Sequence, residues 1–324
     1  MSRYSAPPAT LRRRTVLGGA LLASAFPIIG RAADAEKVRI GYQKSSTLAI
    51  WLKSKGILEK ALAPLNVTPD WHEFTSGLPL LEALNVGGLD FTADVADAVP
   101  PFALAAGAQI AYFATEAPSP TAQAIVVKSD SPIRSLAQLR GKKVAFAKGA
   151  GAHYLLVAAL RTAGLTLQDI EPAYLSPADG RAAFENGSVA AWVIWDPFLS
   201  AVQHQSGARV LRDGQGLSEY RRFYMASTTY AKRRNDVLAT VFSELRNAGA
   251  WIKANPTEAA QWYAPVVGLD AATVEAANAR RSYAVQPLDA ASLAEQQSIA
   301  DAFSGSGVLP KKVEIAKVPV WRSA

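Results

Sequence analysis

The sequence predicts an α/β fold of two lobes joined by a hinge. Strand and helix patterns alternate from Lys37 onward, the alternation starts again near residue 118, and the chain after residue 226 is almost entirely helical. A chain of 324 residues is also long enough for two lobes. We expect lobe I to comprise 34–117 and 223–324, and lobe II to comprise 118–222.

Residues 1–33 predict a cleaved secretory signal peptide. They contain five arginines, no acidic residue and an apolar stretch of 14 residues from Val16 to Ile29, which is short for a membrane span. Arg13-Arg14 resembles the twin-arginine export motif, so the twin-arginine and Sec routes both stay open. We therefore expect a periplasmic protein.

The basic net charge of +7 does not indicate nucleic-acid binding. Five arginines lie in residues 1–33, and removing that segment leaves +2. The other basic residues are dispersed in short pairs such as Lys142-Lys143, which are typical of a solvated surface. The chain has no cysteine, which excludes disulfides, thiolate zinc sites and iron–sulfur clusters.

The elements of each predicted lobe follow from local periodicity. The predicted strands of lobe I are 38–42, 71–74, 89–91 and 110–114, and its first helices are 48–62, 78–86 and 100–106. Those of lobe II are strands at 123–127, 143–147, 174–175 and 191–194, with helices at 136–139, 153–163 and 177–185. A strand at 223–225 leads into helices at 237–254, 257–264, 272–280 and 290–303. Ligands of open α/β sheets bind at the carboxyl ends of strands, so two such edges predict one cleft.

Three loops at predicted strand ends open helices at this cleft. They are 43–47, 75–78 and 148–153, and each is rich in Gly, Ser or Thr. A helix N-terminus carries unpaired N–H groups and about half a positive charge, which suits an anion without a buried lysine or arginine. The ligand-binding residues predicted here are Gln43, Ser76, Gly77, Leu78, Gly151, Ala152 and His153. Ordinary helix capping is the alternative interpretation of each loop.

An aromatic residue and three carboxylates complete the predicted site. Trp192 and Trp195 lie on opposite faces of one strand, and Trp195 ends it at the cleft, where its indole would cover an alkyl chain. Asp94 and Asp97 either orient donors or bind a ligand amine, and Asp196 follows Trp195 at the cleft edge.

No motif predicts chemistry. The three histidines lack metal-ligand spacing, and the sequence has no Walker loop, nucleophile elbow or dinucleotide fingerprint. We expect no catalytic residue, no metal and no cofactor, and hence a binding protein rather than an enzyme.

Several stretches of the chain resemble the periplasmic aliphatic sulfonate-binding proteins of ABC importers, in a group that also binds taurine and nitrate. They are Arg39–Lys44, Leu81–Gly87, Leu139–Phe146, Leu175–Phe184, Trp195–Pro197 and Val308–Val313. The resemblance implies a type II periplasmic binding protein fold that closes on an aliphatic sulfonate for sulfur acquisition. It also implies delivery to an ABC permease with its cytoplasmic ATPase, and we expect a monomer. A taurine, nitrate or other oxyanion binder, or an enzyme on the same fold, are the alternatives.

Two loops depart from that family. Residues 92–99 are longer and poorer in glycine and hydroxyl groups than the corresponding loop, and residues 149–152 read Gly-Ala-Gly-Ala where the family is rich in serine. We therefore expect backbone N–H groups to provide most of the anion binding.

Overall fold

The computed structural model describes residues 35–322, so the predicted signal peptide lies outside the described residues. Strands and helices alternate through the first part of this region, in the order β1 (Glu36–Gln43), α1 (Thr47–Ser54), α2 (Ile57–Leu62), β2 (Val67–Phe74), α3 (Gly77–Asn85), β3 (Phe91–Ala96), α4 (Val99–Ala105) and β4 (Ile110–Glu116). The middle part contains β5 (Gln123–Val127), β6 (Lys143–Phe146), α5 (Gly151–Thr162), β7 (Glu171–Tyr174), α6 (Pro177–Glu185), β8 (Ala191–Trp195), α7 (Phe198–Ser206) and β9 (Arg209–Asp213). The last part is mainly helical, with β10 (Arg222–Ser227), α8 (Thr228–Arg233), α9 (Asn235–Ala254), α10 (Pro256–Val267), α11 (Ala271–Arg280), β11 (Val285–Gln286) and α12 (Ala290–Gly305).

The first sheet has six strands in the order β11-β4-β10-β3-β1-β2. β1 pairs in parallel with β2 and β3, whereas β10 runs antiparallel between β3 and β4. Helices α1–α4 and α8–α12 are associated with this sheet, directly or through one another, and together they form the first lobe. The short strand β11 completes the sheet by pairing with β4.

The second sheet has five strands in the order β7-β6-β8-β5-β9. β6 pairs in parallel with β7 and β8, and β5 is antiparallel to β8 and β9. Helices α5–α7 pack on this sheet and form the second lobe with it. Because the parallel strands of each sheet end toward the same edge, their helix-opening loops gather there, as expected for an open α/β sheet.

The chain passes between the two sheets twice, through residues 117–122 and 214–221. These crossings run side by side, since the Ser119 N–H donates to the Glu219 carbonyl at 2.9 Å and the Gly214 N–H to the Pro120 carbonyl at 3.0 Å. The structure therefore confirms the predicted α/β fold of two lobes joined by a hinge.

The structure differs from the predicted elements at several points. The predicted helix over 48–62 is two helices, α1 and α2, because Gly56 between them adopts a left-handed conformation with φ of 61°. The elements α7, α8, β9 and β11 were not predicted, because they are short or poorly periodic.

Residues 92–99 were predicted to form a loop, but Phe91–Ala96 is the buried strand β3. Both faces of this strand are covered, so all six of its residues are buried. These include the polar residues Thr92 and Asp94, which are fully buried. Thr92 bonds to the backbone of Met225, and Asp94 pairs with two arginines.

None of the helices in residues 35–322 is long and apolar enough to cross a membrane.

Candidate functional site

A pocket between the lobes, called the main pocket here, collects the ends of several elements. Its walls come from the first lobe, the second lobe and the hinge alike. They are formed by Gln43, Ser76, Gly77, Ala96, Val99, Ala150, Gly151, Trp195, Tyr220 and Arg222. Five of the predicted ligand-binding residues therefore lie together around one space.

Two helix N-termini, one from each lobe, open into the main pocket. α3 begins at Gly77 and α5 at Gly151, and neither helix start is capped by a side chain. The N–H groups of a first turn have no partner within the helix, and the helix dipole places partial positive charge there. The pair of helices thus presents donors and positive potential from opposite sides of the pocket, an arrangement suited to an anion.

Gly151 packs tightly against Tyr220 of the hinge and Ala96 of the first lobe. A Cβ atom there would overlap the Tyr220 ring and would lie 3.2 Å from the Ala96 Cβ, and real Cβ atoms essentially never make a contact as close as the first of these. The absence of a side chain at residue 151 is therefore needed for this packing.

Arg222 was not among the predicted residues, and it brings a buried positive charge to the main pocket. It is 3% exposed, its Nη1 lies 3.3 Å from Asp94 Oδ2, and its guanidinium stacks over the Tyr220 ring. Its Nε has no hydrogen-bond partner among the described residues. The main pocket therefore contains a buried arginine in addition to the two helix starts. The sequence signal for this buried arginine was its position at the start of an otherwise apolar strand, Arg222–Ser227.

The charge of Arg222 belongs to a buried ionic network. Arg281 Nη2 lies 3.0 Å from Asp94 Oδ2 and 2.5 Å from Glu116 Oε1, so two arginines face two carboxylates. Burial alone would raise the pKa of Glu116, but the charge and hydrogen bonds of Arg281 hold that pKa below its ordinary value. Asp94 thus orients cationic groups behind the pocket, and it does not itself line the pocket.

Gln43 and Trp195 have fixed orientations in the main pocket. The Gln43 side chain donates from Nε2 to the Asp94 carbonyl at 2.9 Å, and Trp195 packs edge-on against Phe198. Trp195 is 5% exposed and lines the pocket, whereas Trp192 is in the core against Gly180.

His153 lies near the site, but its side chain does not line the main pocket. It is fully buried in an aromatic cluster with Phe102 and Phe303 of the first lobe and Phe146 and Tyr174 of the second. Its Nδ1 accepts from the Gly149 N–H at 3.3 Å. Burial, assisted by the charge of Lys148, lowers the pKa of His153 to about 4, so the ring is neutral.

Asp97 also lies outside the pocket walls. Its carboxylate accepts from the Ser218 hydroxyl at 3.3 Å and from the Ala98 N–H at 2.9 Å. Burial raises the pKa of Asp97 to about 7. Burial and the charge of Asp97 likewise raise the pKa of Glu295 to about 8. Leu78, Ala152 and Asp196 are the remaining predicted residues that do not line the main pocket.

A second pocket adjoins the main pocket and shares Arg222 with it. Its walls are Ser45, Thr47, Ala122, Asp196, Pro197, Arg222, Tyr263, Ala277, Asn278, Arg281 and Tyr283. Asp196 faces this pocket, and its carboxylate accepts from the Ser200 N–H at 2.9 Å and the Ser200 hydroxyl at 2.6 Å. Burial raises the pKa of Asp196 even though Arg280 opposes that effect.

Among residues 35–322 no cluster of three or more His, Cys, Asp or Glu side chains has the geometry of a metal site.

Known proteins are similar to this chain over nearly its whole length. An aliphatic sulfonates-binding protein of Escherichia coli (strain K12) is 40% identical over 95% of this chain and 96% of its own length. One of Bacillus subtilis (strain 168) is 30% identical over 87% of this chain and 85% of its own.

Solved structures agree with these relatives. The alkanesulfonate-binding protein of Xanthomonas axonopodis pv. citri, bound to MOPS, is 40% identical and superimposes with a TM-score of 0.84 over 90% of this chain and 100% of that one. The periplasmic aliphatic sulphonate-binding protein of Escherichia coli is 41% identical, with a TM-score of 0.82 over 89% and 93%. A family model described as NMT1/THI5 like matches residues 76–259. The chain therefore belongs to the NMT1/THI5-like family and, within it, to the aliphatic sulfonate-binding proteins.

Proposed function

We propose that this protein is the extracytoplasmic solute-binding protein of an ABC importer and captures aliphatic sulfonates for sulfur acquisition. The observation that carries the proposal is the meeting of two uncapped helix N-termini, at Gly77 and Gly151, in a pocket that Arg222 also lines. A sulfonate stays ionised at any physiological pH, so it needs donors and positive potential but no proton partner. Such a site binds an anion and performs no reaction on it.

The remaining wall of the main pocket suits the carbon chain of the ligand. Ala96, Val99 and Ala150 are apolar, and Trp195 adds an aromatic face with an indole N–H. The ligand-binding set that we propose includes Gln43, Ser76 and Gly77 of the first lobe, with Gly151 and Trp195 of the second. Arg222 joins this set as the charged member.

Leu78 and Ala152 contribute through the backbone of the first helical turn, and Asp94 through the arginines that it orients. Asp97, His153 and Asp196 do not contact the ligand directly. They act indirectly, by supporting the hinge and the contacts between the closed lobes. We also propose the predicted lobe boundaries, with 34–117 and 223–324 forming one lobe and 118–222 the other.

The cellular setting follows from the proposed function. The mature chain works as a monomer in the periplasm after export by the twin-arginine or Sec route, and it delivers its ligand to an ABC permease driven by a cytoplasmic ATPase. The periplasmic aliphatic sulphonate-binding protein of Escherichia coli, 41% identical, supports this setting.

A thermal-shift measurement with sodium pentanesulfonate tests the proposed function. A ligand at 100 times its Kd stabilises the folded state by about 2.7 kcal/mol, so we expect the Tm to rise by several degrees. No shift with any alkanesulfonate from methane to octane would overturn the proposal.

Titration calorimetry with pentanesulfonate, taurine, nitrate and sulfate then identifies the preferred anion. We expect pentanesulfonate to bind most tightly, and a clear preference for taurine or nitrate would replace the sulfonate assignment.

Arg222→Gln should weaken pentanesulfonate binding by at least a hundredfold, since a buried charge is lost. Arg246→Gln, on the exposed face of α9, is the matched control and should bind normally.

A further inference from the structure

The start of α5, which faces the main pocket from the second lobe, leaves two backbone donors for a ligand. The Ala150 N–H donates to the Ala147 carbonyl at 3.3 Å, and the His153 N–H donates to the Ala150 carbonyl at 2.9 Å. The N–H groups of Gly151 and Ala152 lie between these two and have no acceptor among the described residues. These are the donors that α5 offers to an anion.

A side chain within α5 fixes the turn that carries these donors. Ala150 occupies the capping position and has no polar side chain, so it cannot cap the helix itself. His153 is the third residue of α5, and its Nδ1 accepts from the Gly149 N–H at 3.3 Å, much as the third residue of a capping box reaches back to the backbone before the helix. Gly149 adopts a left-handed conformation with φ of 73°, which only a flexible residue takes readily. The bond to Nδ1 therefore restrains a peptide that is free to move by its own chemistry.

The direction of the His153 ring is set by packing from both lobes. Its centroid lies 6.1 Å from that of Phe102 and 5.2 Å from that of Phe303 in the first lobe, and 4.9 Å from that of Phe146 in the second. Tyr174 completes the cluster. An imidazole enclosed in this way has little rotational freedom, so its Nδ1 keeps one direction, toward Gly149.

The other ring nitrogen shows what the imidazole contributes. His153 is fully buried, and its Nε2 has no hydrogen-bond partner among the described residues. Because Nδ1 accepts a hydrogen bond in a neutral ring, Nε2 carries the proton and is a buried donor left unpaired, which costs free energy. An apolar side chain would fill the aromatic cluster without this cost, so the Nδ1 acceptor is the one property of the imidazole that such a side chain could not supply.

We propose that His153 is a positioning residue for the anion site: its Nδ1 holds the Gly149 peptide and thereby directs the N–H groups of Gly151 and Ala152 toward the sulfonate. The inference rests on the proposed function and explains how that site keeps its backbone donors in place. His153 itself does not touch the ligand, since its side chain does not line the main pocket.

Two substitutions of nearly equal shape separate the acceptor from the packing. His153→Asn keeps an acceptor where Nδ1 lies, whereas His153→Leu removes it, and both lose the ring. We expect both to bind pentanesulfonate more weakly than the wild type, with the Asn variant binding about fivefold more tightly than the Leu variant because it keeps one neutral hydrogen bond. A residue that only packs would give the reverse order, since Leu buries no unpaired amide. Titration calorimetry measures the three Kd values.

The same two substitutions at an exposed histidine are the control. His72 lies on the edge strand β2 with its side chain exposed, so His72→Asn and His72→Leu should bind equally well. A thermal melt of each variant confirms that it is folded before its Kd is compared.

The tautomer of His153 in the wild type is a readout that does not depend on affinity. A long-range proton–nitrogen NMR spectrum at neutral pH should show a protonated Nε2 and an unprotonated Nδ1. A proton on Nδ1 would exclude the bond from Gly149 and overturn the inference. Should either variant of His153 fail to fold, this measurement decides.

The calorimetric outcomes separate the inference from the function on which it rests. If the wild type binds alkanesulfonates and His153→Leu binds as tightly as His153→Asn or more tightly, His153 does not position the donors, and the proposed function stands. If the wild type binds no alkanesulfonate, the proposed function is overturned and the inference with it.

Discussion

Arg280 Nη1 lies 3.2 Å from Asp196 Oδ2 and so joins the last turn of α11 in the first lobe to the segment before α7 in the second. The same guanidinium donates to the Ser200 hydroxyl at 3.0 Å and to Gln203 Oε1 at 2.7 Å. This cluster closes the lobes over the second pocket, which Asp196 lines. We call this cluster of Arg280, Asp196, Ser200 and Gln203 the latch. A ligand that contacts both lobes should favour the same arrangement of the lobes as the latch, so each should depend on the other.

Removal of the latch should weaken ligand binding without a direct contact to the ligand. Arg280→Ala is expected to raise the Kd for the preferred sulfonate about tenfold, because hydrogen bonds to charged groups contribute about 1.5–3 kcal/mol. Titration calorimetry measures this change, with Arg246→Ala on the exposed face of α9 as the control. An unchanged Kd would mean that the latch does not contribute to the ligand-bound arrangement.

A side chain at residue 151 should interfere with closure. Gly151→Ala places a methyl group against the Tyr220 ring and the Ala96 side chain, so we expect at least a tenfold loss of affinity with a small decrease in Tm. Calorimetry and a thermal melt separate the two effects. Gly305→Ala, at the end of α12 with no atom within 4 Å of the added carbon, should leave both unchanged. Normal binding by the residue 151 variant would show that the closed contact is not required.

The buried neutral His153 should make stability fall in acid. Its folded pKa of about 4 is below its ordinary value near 6.5, so the unfolded chain takes up a proton first as the pH falls. The stabilising contribution is complete above about pH 6.5 and is lost as the pH falls from there through 4, at about 1.4 kcal/mol per pH unit. Urea unfolding of the wild type and His153→Leu from pH 7 to 4 measures it. We expect the variant to lose less stability over this range, and parallel curves would contradict the assignment.

The carboxyl pair Asp97 and Glu295 should have the opposite effect on stability. Burial raises both folded pKa values, to about 7 and about 8, so the folded protein retains protons that the unfolded chain has released. Their contribution is present below about pH 4 and is lost as the pH rises through 7 and 8. The free energy of unfolding of the double variant Asp97→Asn/Glu295→Gln should decrease less than that of the wild type between pH 5 and 9. Urea unfolding at each pH is the measurement, and an equal decrease in both proteins would refute the role of the pair.

Much of the main pocket was predictable because it is made by local structure. Gly77 and Gly151 each begin a helix after a predicted strand, and the topology of an open sheet brings such starts to one edge. Trp195 was assigned to the pocket and Trp192 to the core from the alternation of side chains along a strand. His153 lies in the first turn of the helix that Gly151 begins, yet its ring packs in an aromatic cluster formed by both lobes, and local sequence does not encode those contacts.

By itself the sequence determined the α/β class, the two-lobed plan, the family and the helix starts that face the cleft, because these depend on periodicity and on residues adjacent in the chain. Only the tertiary structure decided which charges meet. Arg222 reaches Asp94 across 128 residues and Arg281 reaches Glu116 across 165, and no local pattern specifies such pairs. The main pocket therefore owes its helix dipoles to local sequence and its buried arginine to long-range packing, since a buried charge is stable only where the fold supplies its partner.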